Sequence, residues 1–162
     1  MILREEICND RPVIRQLIEA AFGQAAEADL VETLRQSGDA ELSLVAADAD
    51  GIAGHILFSK LQAPDRCLAL APVSVVPGRQ NQGIGTLLIR EGLARAAQNG
   101  WRAVFVLGDP DYYERFGFCV DAAEAFETEY PKAYFMALGL APNGLEGLSG
   151  PIIYPRAFDA LS

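Results

Sequence analysis

The chain has 162 residues, 51% hydrophobic and 22% charged, enough to bury one core without disulfide or metal staples. A net charge of −9 with no basic run disfavours a nucleic-acid partner. No apolar stretch approaches the roughly 20 residues of a membrane span, so a membrane partner is not expected either. The three cysteines are widely spaced and only one histidine is present, which argues against a zinc site and for free thiols. The first residues, "MILREEICND", lack the apolar core of a signal peptide, so a cytoplasmic location is expected. A single domain over residues 1–162 is the simplest organisation.

"ILREEI" reads as a first strand, and Asn9-Asp10 followed by Pro12 is a helix-start signal. "RPVIRQLIEAAF" and "AEADLVETLRQ" place apolar residues at helical spacing. "ELSLVAAD", "GIAGHILFSKL" and "CLALAPVSVV" are strand-like, with "DADG" turning between the first two. "IGTLLIREGLARAAQ" is an amphipathic helix closed by Asn99-Gly100, and "WRAVFVLG" is a strand of the kind buried inside a sheet. "DPDYYERF" predicts a short helix with Asp109 as N-cap. "FGFCV", "AYFMALGL" and Gly150 to Tyr154 are the remaining strand candidates. This order predicts an α/β domain, a mixed central sheet of about six or seven strands with helices on both faces.

The stretch "VSVVPGRQNQGIGTLLIREGL", from Val73 to Leu93, sets a β-branched run against a turn and puts Gly83 and Gly85 at a helix start. A Walker A loop needs Lys after its second Gly, and Ile84 stands there. A Rossmann turn needs G-x-G-x-x-G after an N-terminal βαβ unit, and both parts are missing. A strand–turn–helix remains, whose first amides lack internal partners and carry a partial positive charge. It fits an anion site in which bare glycines admit a phosphate, and equally a tight connection that binds nothing.

"QNQGIG", Gln80 to Gly85, resembles the Q/R-x-x-G-x-G/A pattern of the GNAT superfamily of N-acetyltransferases. Val75 to Leu88 matches the wider V-x-P-x-x-[QR]-x-x-G-x-G-x-x-L signature, including Pro77. "YYERFGF", Tyr112 to Phe118, resembles the family's [FLY]-Y-x-[KR]-x-G-F segment. With "YFMALGL" and "SGPIIYPRAF", the chain looks most like the YhbS-like branch. The resemblance implies the GNAT fold and acetyl transfer from acetyl-CoA to the primary amine of an unidentified acceptor, by direct attack in a ternary complex and without a metal. It also suggests a homodimer.

The resemblance further implies that the backbone of Gln80, Asn81, Gln82, Gly83, Ile84, Gly85 and Thr86 cradles the pyrophosphate. The strand Val73, Ser74 and Val75 would splay from its neighbour and pair with pantetheine, as Pro72 would favour. Tyr113 would protonate the departing thiolate, although by residue type Tyr112 is an equal candidate. The family's Asn seven residues before this Tyr is Val106 here; Asp109 either replaces its contact or only caps the helix. His55 is the candidate base by its intrinsic pKa, with Glu27, Asp29 and Glu32 as carboxylates on the acceptor side. Arg79 is a candidate phosphate partner or a solvated surface charge. None of Cys8, Cys67 and Cys119 has a His partner in sequence that would activate a thiolate. A non-catalytic acyl-CoA sensor and a longer acyl donor are the alternatives that the sequence leaves open.

Overall fold

Apolar residues at periods near two and near 3.6 divide the chain into strands and helices. A computed structural model, which describes residues 1–161, gives them the expected order. β1 (Ile2–Glu5), α1 (Arg11–Phe22), α2 (Ala26–Ser37), β2 (Ala40–Asp48), β3 (Gly51–Lys60) and β4 (Cys67–Val75) come first. α3 (Ile84–Gln98), β5 (Ala103–Leu107), a short α4 (Pro110–Tyr113), β6 (Phe126–Glu127), β7 (Phe135–Gly139) and β8 (Gly150–Pro151) come next. Six strands form one mixed sheet in the order β1-β2-β3-β4-β5-β7, and β6 and β8 pair separately. All neighbours in the large sheet are antiparallel except β4 and β5.

Alternation along β2 and β3 sends successive side chains to opposite faces. One face buries Val45 and Leu57 with Ile14, Leu17 and Leu34 of α1 and α2. The other buries Leu44, Ile56 and Phe58 with Leu88 and Ile89 of α3. Gly54 seats α3 on the sheet: a Cβ there would lie 2.9 Å from both Ile84 and Leu88. The start of α3 is thereby fixed against β3.

β4 departs from a regular ladder on both of its sides. Its register with β3 pairs Ile56 with Val73 and Phe58 with Leu70, so Ala71 and Pro72 bulge opposite Leu57. Its ladder with β5 covers only Cys67 to Ala69 against Ala103 to Phe105. Past Ala69 the two strands part.

Two expectations are corrected. "FGFCV" forms no strand; Cys119 makes a single bridge to Ala137 before the chain enters the turn Asp121–Ala123. Of Gly150 to Tyr154, only Gly150–Pro151 forms a strand, beside β6, while Ile153 makes an isolated bridge to Ala63. α1 starts at Arg11, where Asn9-Asp10 and Pro12 signal a helix start; the Asp10 carboxylate accepts from Ile7 N–H at 2.8 Å and from Arg4 at 2.7 Å, closing the turn before the helix. Among the described residues, no helix is long and apolar enough to cross a membrane.

A polar cluster lies at the junction of β1, α2, β2 and β3. Glu6 accepts from Arg35 at 2.9 Å and from the Ser43 hydroxyl, and Ser43 Oγ is 2.8 Å from His55 Nε2. Burial pushes the Glu6 carboxyl up, but the hydrogen bonds from Arg35 and Ser43 and the Arg35 charge outweigh it and hold it low. Burial pushes the fully buried His55 down to about 4, with Glu6 opposing and Arg35 reinforcing. A histidine neutral in the fold and free to protonate once unfolded favours unfolding as pH falls below about 6.5. We therefore expect urea unfolding to show stability full above that pH and falling by about 3 kcal/mol towards pH 4. His55→Gln should flatten that part of the pH profile.

Candidate active site

Val76 N–H donates to Ala53 C=O of β3 at 2.9 Å. By alternation, Val73 and Val75 turn their peptide groups away from β3, towards the side that β5 has left. Ser74 turns the other way: it is paired with His55, and its side chain is buried. Of the three β4 residues expected at the site, Val73 and Val75 therefore face the open edge and Ser74 does not. Gln80 Nε2 donates to the exposed Val75 C=O at 3.4 Å.

At the end of β4 the chain passes Pro77–Arg79 and enters α3. The amides from Gln80 to Thr86 find no acceptor among the described residues, and the first capping bond of α3 runs from Leu87 N–H to Gly83 C=O. Gly83, the N-cap, has φ 84°, a left-handed conformation that side chains disfavour. A Cβ at Gly83 would meet open space, so backbone conformation, not crowding, is what requires glycine there. A Cβ at Gly85 would lie 3.3 Å from the Tyr112 hydroxyl and enter the cavity that this loop lines.

That cavity is lined by Val75, Arg79, Gln80, Asn81, Gly83 to Thr86, Tyr112 and Arg115, with Gln82 turned outward. Arg79 is held by Asp48 of β2 at 2.7 Å, so its charge is already compensated. Arg115 lies over the Tyr112 ring at 4.6 Å, donates to Tyr112 C=O at 2.9 Å and has no carboxylate partner among the described residues. The place thus combines free amides, a helix N-terminus and an uncompensated guanidinium, which together suit a di-anionic group.

The same open edge leads to a second cavity, of about 430 Å³, between β4 and β5. Ala71, Pro72 and Val73 form one wall and Phe105, Leu107 and Tyr113 the other. α4 separates the two tyrosines. Tyr112 faces the loop cavity, with its hydroxyl 3.5 Å from Thr86 Oγ1, and Tyr113 faces the cleft. Burial, with the neighbouring Tyr112, pushes the Tyr113 hydroxyl up to about 12, so it keeps its proton at neutral pH. Gly108 makes room for it, since a Cβ there would run into the Tyr113 ring.

The other expected residues are sorted by position. Asp109 caps α4 by accepting from Asp111 N–H at 3.0 Å and lines neither cavity. His55 is buried beneath α1 and α2 and lines neither. Asp29 and Glu32 both pair with Arg15, at 2.8 and 3.1 Å, and only Glu27 of the three acceptor-side carboxylates lines the cleft. No cysteine lines either cavity, and burial pushes the Cys67 thiol up to about 11. Among the described residues, no group of three or more His, Cys, Asp or Glu side chains is placed to hold a metal.

A family model described as "Acetyltransferase (GNAT) family" matches residues 11–118. The chain belongs to the GNAT family. It is 35% identical to an uncharacterised N-acetyltransferase, YhbS of Escherichia coli K12, over 98% of this chain and 99% of that protein. The crystal structure of E. coli YhbS in complex with CoA superposes with a TM-score of 0.91, covering 98% of this chain and 91% of the other. A GNAT acetyltransferase from Brucella melitensis in complex with acetyl-CoA is 38% identical, with a TM-score of 0.83 and coverage of 98% and 97%. This GNAT chain is thus an enzyme of the N-acetyltransferase class with the GNAT fold. Sequence reasoning singled out the loop but passed over Arg115, Gly108 and the aromatic wall of the cleft. The [KR] position of "YYERFGF" was a signal for the first of these; nothing marked the others.

The loop yields a direct expectation. Gly83→Val forces a β-branched residue into a left-handed conformation, and Gly85→Val fills the cavity beside Tyr112. Each should weaken coenzyme A binding by about tenfold or more in calorimetry, with an unchanged far-UV circular dichroism spectrum.

Proposed function

We propose that this enzyme transfers the acetyl group of acetyl-CoA to a primary amine by direct attack within a ternary complex. The observation that carries the reading is the run of unpartnered amides from Gln80 to Thr86 at the end of the open β4 edge. Those amides and Arg115 receive the pyrophosphate, while Val73 and Val75 offer peptide groups to the pantetheine arm as an added strand would. The CoA and acetyl-CoA bound to the two relatives support this use of the edge.

The thioester then lies in the cleft beside Val73 and Tyr113. The amine nitrogen attacks the carbonyl carbon, a C–N bond forms and the C–S bond breaks. The electron pair of that bond leaves on sulfur. Tyr113, still protonated, delivers its proton to the thiolate and is reprotonated from solvent, while the amine loses its proton to Glu27 or to water. A thiolate is a fair leaving group, so protonation by Tyr113 contributes about ten- to a thousand-fold. The thiols take no part in this scheme, which agrees with their position outside both cavities.

Steady-state kinetics with acetyl-CoA and a screened amine panel test the assignment. Tyr113→Phe should lower kcat by about ten- to a thousand-fold and leave acetyl-CoA affinity within about twofold. Gly108→Ala, which displaces the Tyr113 ring, should shift kcat in the same direction. Equal rates in wild type and Tyr113→Phe would remove Tyr113 from the mechanism.

A further inference from the structure

The cleft beyond Tyr113 has a chemistry that sequence patterns did not reveal. Phe22 closes it at the end of α1, and Tyr130, Tyr154 and Phe158 close it from the chain's last third. These aromatics support one another: Tyr130 and Tyr154 meet edge-on at 5.6 Å, and Tyr154 and Phe158 have ring centroids 4.9 Å apart. Phe22 is 43% exposed, so a bound molecule would cover apolar surface that is now wet. Among the described residues, Glu27 is the one charged side chain lining this cavity, and it is held by Gln24 Nε2 at 3.0 Å. No described Lys or Arg lines it.

Resting on the proposed transferase activity, we propose that the acceptor is a primary monoamine on a short aromatic body and carries no carboxylate. The ring packs among Phe22, Tyr130, Tyr154 and Phe158, and Glu27 draws the ammonium group in before it loses its proton and attacks. Stacked and edge-on aromatic contacts favour a ring in such a wall, and aromatic faces also attract the approaching cation. A free carboxylate on the acceptor would find no basic partner there. A polyamine would leave all but one of its charges facing hydrocarbon. The adjoining groove, which shares Tyr130, Tyr154 and Phe158, does carry Glu127, Glu129 and Asp159. Preference for a polycation would thus point to that groove and away from the cleft.

The test compares 2-phenylethylamine, phenylalanine and spermidine as acceptors with saturating acetyl-CoA, following free thiol and the acetylated product. 2-Phenylethylamine should exceed both of the others in kcat/KM by about tenfold or more. Phe22→Ala, at a half-exposed helix end that the core does not need, should raise its KM several-fold and leave acetyl-CoA affinity unchanged. Tyr154→Leu should do the same. A preference for spermidine or phenylalanine overturns the proposal, as does an unchanged KM in both variants. If acetyl-CoA binds in calorimetry but 2-phenylethylamine is not acetylated, the aromatic-amine proposal fails while the coenzyme site stands. If acetyl-CoA itself does not bind, the transferase reading fails first and takes the acceptor with it.

Discussion

β4 and β5 share a ladder only from Cys67 to Ala69, and the proposed path of the pantetheine arm runs along the edge that this short ladder leaves open. Peptide groups in a sheet interior are normally paired, and leaving them free of both protein and water is costly. Here the bulge at Ala71 and Pro72 and the divergence from β5 convert that cost into an opening. Val73 faces the cleft at one end of it and Val75 the loop cavity at the other. The gap runs from the loop cavity, where we propose that the diphosphate binds, to the cleft, where we propose that the acetyl group is transferred.

The packing behind this edge holds it in place. Gly54 lets Ile84 and Leu88 press onto β3, which fixes where α3 starts and therefore where its unpaired amides point. α4 is short, yet it divides adjacent tyrosines between two cavities, with Tyr112 beside Thr86 and Tyr113 in the cleft. Asp109 caps that helix and Gly108 clears space for the Tyr113 ring. Charge obeys the same division. Arg115 is uncompensated among the described residues beside the loop, whereas Glu27 is the one charged residue described in the lining of the cleft.

Much of this was legible in the sequence where a local rule decides the outcome. α3 was readable from its apolar period and its Asn99-Gly100 stop, and the loop from glycines placed where a helix begins. The mixed sheet came from element order, and the family from two motifs in the right succession. What sequence could not supply depends on contacts between distant segments. His55 had a suitable intrinsic pKa, but the fold encloses it with Ser43, Glu6 and Arg35, and it lines neither the cleft nor the loop cavity. Ser74 lies between two residues on the open edge, yet strand alternation turns it to the opposite face. The tail reads as one strand from Gly150 to Tyr154, but it splits its pairing between β6 and Ala63, and its aromatics fold back to wall the cleft. Tyr130 lies 24 residues before Tyr154 in sequence, so only the folded chain shows that it joins Tyr154 and Phe158.

The central claim is that main-chain nitrogens between β4 and α3 receive the coenzyme's diphosphate, and backbone-amide NMR addresses it most directly. On titrating ¹⁵N-labelled protein with coenzyme A, the largest downfield shifts should fall on Gln80 to Thr86, with smaller ones at Val73 and Val75. Saturable binding that shifts amides elsewhere and leaves Gln80 to Thr86 unmoved would contradict it.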